Sequence, residues 1–302
     1  MLRHLLPTLL LLPGLAWAQI SALPPPVAAE IAGIGPTMGP EAVARTGAAL
    51  APLIPPDAVQ PVRDARYGAD ARHRLDMFSP GAGARPVLVF VHGGGFVGGD
   101  KTRPGVHYYD NIGQFAARSG WVGVNITYRL APAHPYPAVI EDIGAALAWV
   151  RANIAEHGGD AGRIVLMGQS AGAAHVADYL AAHADAPGVA AAVLVSGVYD
   201  AATYPAGPTV SSYYGRDPDQ LRARSALPGL ARLAIPLVMA RAELEPPPFR
   251  DQAAALRDAV CAARRPCPPI LEMAGHNHFS TVFAIGSPDR ALSDAILASL
   301  PR

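Results

Sequence analysis

Cysteine is almost missing from this chain: its 302 residues include two, Cys261 and Cys267. Two thiols without neighbouring partner ligands cannot complete a tetrahedral zinc site. Their even number, with Pro266 between them to favour a tight turn, points instead to a structural disulfide worth about 2 kcal/mol by loop closure. Charge is sparse as well. Only 16% of the residues are charged, and 24 basic side chains balance 24 acidic ones. Nucleic-acid affinity needs clustered Lys and Arg, so no DNA or RNA partner is expected. With 51% hydrophobic residues, the low charge also excludes disorder for most of the chain. Neither internal repeats nor a fibrous pattern appears.

Long apolar runs are lacking except at the start. Arg3 precedes an apolar stretch over residues 5–15, interrupted by Pro7 and Pro13, and Ala16-Trp17-Ala18 has the small-x-small form of a signal-peptidase site. A bilayer crossing needs about 20 unbroken apolar residues, which this run does not supply. Residues 1–18 are therefore expected to be a removed export signal, with the mature protein periplasmic or secreted and without a stable membrane anchor.

Residues 19–64 are rich in Ala and Pro, including Pro24-Pro25-Pro26 and Pro55-Pro56, with one short helix predicted near 41–50. This stretch reads as an N-terminal arm, either a tether or a partial cap, ahead of one large domain over residues 65–302. Within that domain, apolar runs bounded by turn residues recur at 86–91, 121–126, 164–167, 190–195, 235–239 and 270–273. Helical periodicity marks 138–154, 171–182 and 249–263, and Ser287-Pro288-Asp289 offers a cap, a first-turn proline and an acid before a last helix. Strand and helix alternate. The pattern predicts an α/β fold, a mostly parallel central sheet with helices on both faces and chemistry at the carboxyl ends of its strands.

Gly168-Gln169-Ser170-Ala171-Gly172 stands where the 164–167 strand must turn into a helix, the setting of a nucleophile elbow. Small residues are needed there because the sharp turn crowds the nucleophile backbone against its neighbours. His92-Gly93-Gly94-Gly95-Phe96 follows the first long apolar strand. Amides of Gly94 and Gly95, joined by that of Ala171, are suited to stabilise an oxyanion. A phosphate loop fits less well, because the Walker lysine pattern and the G-x-G-x-x-G order are both missing. A nucleophilic serine needs a base, and the base an orienting acid, in the chain order Ser, acid, His for this topology. Glu243 and Glu245 follow one predicted strand, and His276 and His278 follow the next.

Taken together, these motifs resemble the α/β-hydrolase superfamily, in its hormone-sensitive-lipase-like and kynurenine-formamidase-like esterase branches. Tyr128-Arg129-Leu130-Ala131-Pro132, with His134-Pro135-Tyr136-Pro137-Ala138 and Glu141-Asp142, adds a third motif in the order those relatives show. The resemblance covers most of the chain after the signal. It implies a catalytic Ser170, with His278 rather than His276 as base and Glu245 rather than Glu243 as acid. Relatives normally carry aspartate where Glu245 stands, so this chain departs by one methylene. The resemblance gives His92 a structural part in the glycine turn, while His175 is read as a packing residue and Asp142 as one that holds a loop in place.

The expected activity is hydrolysis of small to medium carboxylic esters through an acyl-enzyme, acting on a small-molecule substrate with no metal or organic cofactor. An arylformamidase-like amide hydrolase is the alternative, implied by the resemblance around Ser196-Gly197-Val198-Tyr199-Asp200 and residues 275–280, and a noncatalytic binding protein on the same fold is the more distant one. Residues 201–233 interrupt the strand–helix rhythm, and their Tyr204, Tyr213 and Tyr214 are expected either to line the substrate pocket or to pack a long connection.

Overall fold

The computed structural model describes residues 21–185, 188–264 and 266–300. The expected signal peptide, residues 1–18, lies outside the described residues. Eight strands form one sheet: β1 (Val62–Arg66), β2 (Arg74–Phe78), β3 (Arg85–Val91), β4 (Val122–Ile126), β5 (Gly159–Gln169), β6 (Ala191–Val195), β7 (Leu237–Leu244) and β8 (Ile270–Asn277). Their spatial order is β1-β2-β4-β3-β5-β6-β7-β8. β1 pairs antiparallel with β2, and β2 with β4, while every pair from β4 through β3 to β8 is parallel. Residues of β4 and β6 are buried throughout, as a strand covered on both faces requires. That double burial is why β6 reads as a continuous Ala, Val and Leu run, whereas β4 carries one polar residue, Asn125, whose Nδ2 donates to the Tyr109 carbonyl at 2.9 Å.

In chain order the helices are α1 (Pro25–Ile34), α2 (Pro40–Leu50), α3 (Asp110–Arg118), α4 (Ala138–Asn153), α5 (Ala171–Ala182), α6 (Pro208–Tyr214), α7 (Pro218–Ala223), α8 (Leu227–Arg232), α9 (Pro247–Ala263), α10 (Ser280–Phe283) and α11 (Ala291–Ala298). One apolar layer joins the sheet to α4, α5, α8 and α9 through Ile143, Leu147, Val176, Leu180, Leu230 and Leu256. The opposite layer packs α1, α3 and α11 with Ile31, Ile112, Phe115 and Ile296. Each face of the sheet is thus sealed by helices.

Several expectations change on contact with the fold. The arm holds two helices, not one, because Pro25 and Pro40 each occupy a first-turn position where a missing N–H costs nothing. The boundary expected after Asp64 falls inside β1, an edge strand whose Val-Arg-Asp-Ala-Arg sequence is mostly exposed and so carries no apolar signal. The last helix begins at Ala291 rather than at Pro288, since Asp289 turns inward to accept the N–H groups of Ala291 at 3.1 Å and Ala22 at 3.0 Å. Cys261 and Cys267 form a disulfide with Cα atoms 4.7 Å apart, closing the carboxyl end of α9.

Candidate active site

Four loops meet at the carboxyl edge of the parallel strands, each beginning where a strand stops. Gly93, Gly94 and Gly95 follow β3, Ser170 follows β5, Glu245 follows β7 and His278 follows β8. Ser170 has φ 57° and ψ −126°, a left-handed conformation wedged between Gln169 at the end of β5 and Ala171 at the start of α5. Its N–H donates to the Val195 carbonyl at 2.9 Å, continuing the pairing with β6 into the turn. Close approach explains the flanking glycines. A Cβ on Gly168 would come 2.7 Å from Ala173 N, and one on Gly172 would come 2.5 Å from the carbonyl oxygen of His92. Holding a serine in this conformation costs on the order of 1 to 3 kcal/mol, which surrounding contacts must offset.

His278 lies within reach of both partners. Its Nε2 is 2.9 Å from Ser170 Oγ, and its Nδ1 is 3.2 Å from Glu245 Oε2. The imidazole and the carboxylate are both buried, with residue exposures of 1% and 2%, while the serine keeps access to the cleft. Phe249 lies tilted over the imidazole at a ring separation of 4.3 Å, and Phe279 meets its edge at 5.3 Å. The second carboxylate oxygen, Glu245 Oε1, has no hydrogen-bond partner among the described residues. Glu243 is elsewhere: it is exposed, and its Oε2 accepts the Gly275 N–H at 2.7 Å. His276 is no loop residue. It belongs to β8 and is buried, with Nδ1 3.0 Å from Ser280 Oγ and Nε2 3.4 Å from Asp289 Oδ2.

The glycine loop abuts the elbow. A Cβ on Gly93 would lie 3.1 Å from Ser170 Cβ, and Gly94 has φ 143°, where a Cβ would also run into the Gly98 backbone. Gly94, Gly95 and Ala171 line the same cleft as Ser170. His92 anchors the turn from beneath: its Nδ1–H donates to the Gly93 carbonyl at 2.6 Å and its ring stacks on Tyr128 at 4.4 Å. Full burial holds the His92 pKa down to about 3, so the ring is neutral at ordinary pH. His175 is likewise brought to about 3, by burial and then by His92, and packs edge-on against Phe96 at 5.3 Å. Asp142 accepts from Arg129 N at 2.8 Å and lies 3.0 Å from His73 Nε2, fixing the loop after β4 to α4.

The cleft encloses about 860 Å³, a usual size for a small-molecule site. One wall carries Val198, Tyr204, Val210 and Phe249, and another carries Tyr108 and Phe283 together with Met38 and Val43 from the arm. Tyr204 alone of the three expected tyrosines reaches the cleft. Tyr213 and Tyr214 are fully buried behind Phe96, stacked at 5.3 Å and edge-on at 5.4 Å, so they build the wall without lining it. Tyr204 has its hydroxyl pKa pushed up to about 12 by burial and then by Glu245.

Gln169 is a contributor that motif reading did not single out. It is buried, its Nε2 donates to the His278 carbonyl at 3.0 Å, and its Oε1 lies 2.7 Å from where a Gly93 Cβ would stand. One amide thereby touches the serine, glycine and histidine loops. Its position beside Ser170 was the available signal; its partners, 109 residues away in the case of His278, were not.

An arrangement of hydroxyl, imidazole, buried carboxyl group and glycine amides can raise the nucleophilicity of the serine and receive negative charge on a carbonyl oxygen. Comparison with known proteins agrees on the scaffold. A family model described as alpha/beta hydrolase fold matches residues 88–273. Carboxylesterase NlhH of Mycobacterium tuberculosis is 49% identical over 88 residues, 29% of this chain and 26% of that protein. Tuliposide A-converting enzyme b1 of Tulipa gesneriana is 40% identical over 119 residues, 36% of this chain and 31% of the relative. The chain thus spans about a quarter to a third of the length of the curated relatives it matches. Among solved structures, the hyperthermophilic esterase from Pyrobaculum calidifontis superposes with a TM-score of 0.67 at 24% identity, over 86% of this chain and 92% of that one. From the elbow to the strand order, the chain belongs to the alpha/beta hydrolase fold family.

Proposed function

We propose that this protein is a serine hydrolase of carboxylic esters. The observation that carries the reading is the continuous hydrogen-bonded series Ser170 Oγ, His278 Nε2, His278 Nδ1 and Glu245 Oε2, at 2.9 Å and 3.2 Å, opening onto the cleft. Ser170 attacks the ester carbonyl while His278 takes its proton. Glu245 holds Nδ1 protonated, so that Nε2 is free to accept, and stabilises the imidazolium that forms. The amides of Gly94, Gly95 and Ala171 receive the charge on the carbonyl oxygen, and His278 returns its proton to the departing alcohol. Water then attacks the acyl-enzyme by the same route in reverse. No step calls on a cofactor.

Small to medium acyl groups fit a cleft of about 860 Å³ closed on one side by the arm and on the other by residues 201–210. Residues 1–18 act in this reading as a cleaved export signal, which N-terminal sequencing of protein from the periplasm or medium tests directly. For the chemistry, turnover of a short aryl ester by purified protein is the assay, and Ser170→Ala is expected to lower kcat/KM at least about 1,000-fold. A fluorophosphonate should label the unaltered protein at Ser170 alone. Undiminished turnover in the alanine variant would overturn the assignment.

A further inference from the structure

The two residues that precede His278 are each tied to the N-terminal arm. Asn277 is fully buried, and its side-chain Nδ2 donates to Thr46 Oγ1 of α2 at 3.0 Å, across 231 positions of sequence. The same amide's Oδ1 accepts the N–H groups of Phe279 at 3.1 Å and Ser280 at 2.9 Å. Asn277 therefore clamps the turn that presents His278, and Thr46, itself fully buried, holds the clamp. His276 is joined to the arm less directly: Asp289 Oδ2 faces His276 Nε2 at 3.4 Å and accepts the Ala22 N–H at 3.0 Å.

From this geometry we infer that Thr46 is a positioning residue for His278, acting through Asn277, and that the arm is a working part of the active site as well as one of its walls. The inference rests on the ester-hydrolase reading above. The imidazole must keep both the serine and the glutamate in hydrogen-bond range, and a shift near 1 Å would break one contact or the other. Thr46 touches neither cleft nor substrate, whereas Met38, Pro40 and Val43 of the same arm line the cleft. Losing the Thr46 hydroxyl should accordingly slow the chemical step without weakening substrate binding.

Thr46→Val keeps the shape of the side chain and removes only the hydrogen-bonding oxygen. It is expected to lower kcat roughly 10-fold to 100-fold with KM held within about twofold, because small misplacements of a reacting group act on the transition state. Thr46→Ser restores the oxygen and should recover most of kcat. Arg45→Ala, one position away on α2, breaks the exposed ion pair with Glu30 at 2.9 Å and should leave kcat unchanged. Thermal unfolding of each variant separates position from stability. A Thr46→Val protein with wild-type kcat, whatever its melting temperature, refutes the inference, as does a serine variant no more active than valine. Should valine fail to yield folded protein, Thr46→Ala is read by the same criteria. Absence of ester turnover in the unaltered protein would instead remove the underlying reading, so the two failures are distinguishable.

Discussion

Replacing Glu245 by glutamine tests the site most sharply, because the structure gives both its effect and its control. The carboxylate is buried, one oxygen lies 3.2 Å from His278 Nδ1, and the other has no partner among the described residues. Glutamine keeps the shape but can present an N–H₂ donor to Nδ1. The imidazole then carries its proton on Nε2 and cannot accept the Ser170 proton. A tautomer defect of this kind lowers kcat by about 10³ to 10⁴, or about 4 to 5 kcal/mol at 1.36 kcal/mol per decade. Folding should not suffer. The unpartnered buried oxygen carries a desolvation cost that a neutral amide relieves in part, so the melting temperature should hold or rise. Glu245→Asp probes reach: removing one methylene withdraws the carboxylate by about 1.5 Å, and a contact of 3.2 Å becomes too long unless the loop follows. An intermediate loss, roughly 10-fold to 100-fold, is expected, even though aspartate is usual at this place in similar hydrolases. Glu243→Gln should stay within about twofold, since its amide oxygen can still accept the Gly275 N–H. Steady-state turnover of an aryl ester, with circular dichroism as a fold check, decides the matter. Glu245→Gln within tenfold of the unaltered protein, or a larger loss from Glu243→Gln, would refute the reasoning.

Two further expectations concern stability. Burial holds His92 and His175 to pKa values of about 3, against an ordinary 6.5, so below pH 6.5 the unfolded chain binds more protons than the folded one. Their contribution is complete above pH 6.5 and falls away as pH drops toward 3; at pH 5 the two together should cost about 4 kcal/mol, measurable by urea unfolding at pH 7 and pH 5, and His175→Phe should roughly halve that dependence. Reducing the Cys261–Cys267 bridge reopens a short loop worth about 2 kcal/mol, a fall of roughly 4 °C in melting temperature for a domain of this size. Ester turnover below the melting range should be unaffected, because neither cysteine lines the cleft; a parallel loss of kcat on reduction would contradict this.

How well each feature could be read in advance depended on how local its physical cause is. The parallel strands announce themselves because burial on both faces favours apolar residues, unbroken in β6 and interrupted in β4 by one polar residue, Asn125. β1 does not, since its exposed Val-Arg-Asp-Ala-Arg run pairs only at an edge. The convergence of Ser170, Glu245 and His278 was readable for a related reason. A parallel sheet delivers the end of every strand to one rim, so a glycine turn, an elbow, an acid and a histidine after successive strands must converge there whatever their separation. Which glutamate and which histidine meet is a matter of direction, and residues two apart at a strand end diverge: Glu243 turns to Gly275 and His276 into the protein interior, while Glu245 and His278 face each other.

The supporting contacts obey no such rule. Tyr213 and Tyr214 sit in the segment expected to shape the pocket, yet they are drawn behind Phe96, where large aromatic area is removed from water. Thr46 is a small polar residue in an Ala-rich helix, with nothing in its neighbourhood to mark it, and its partner lies 231 residues away. A hydroxyl and an amide buried together have no periodicity and no motif. What specifies them is that neither can be left unsatisfied in the interior, a constraint that appears only once α2 has packed beside the histidine loop. The same constraint makes them informative afterwards: a single buried hydrogen bond between the arm and the residue beside His278 links a segment that looks dispensable in composition to the placement of that imidazole.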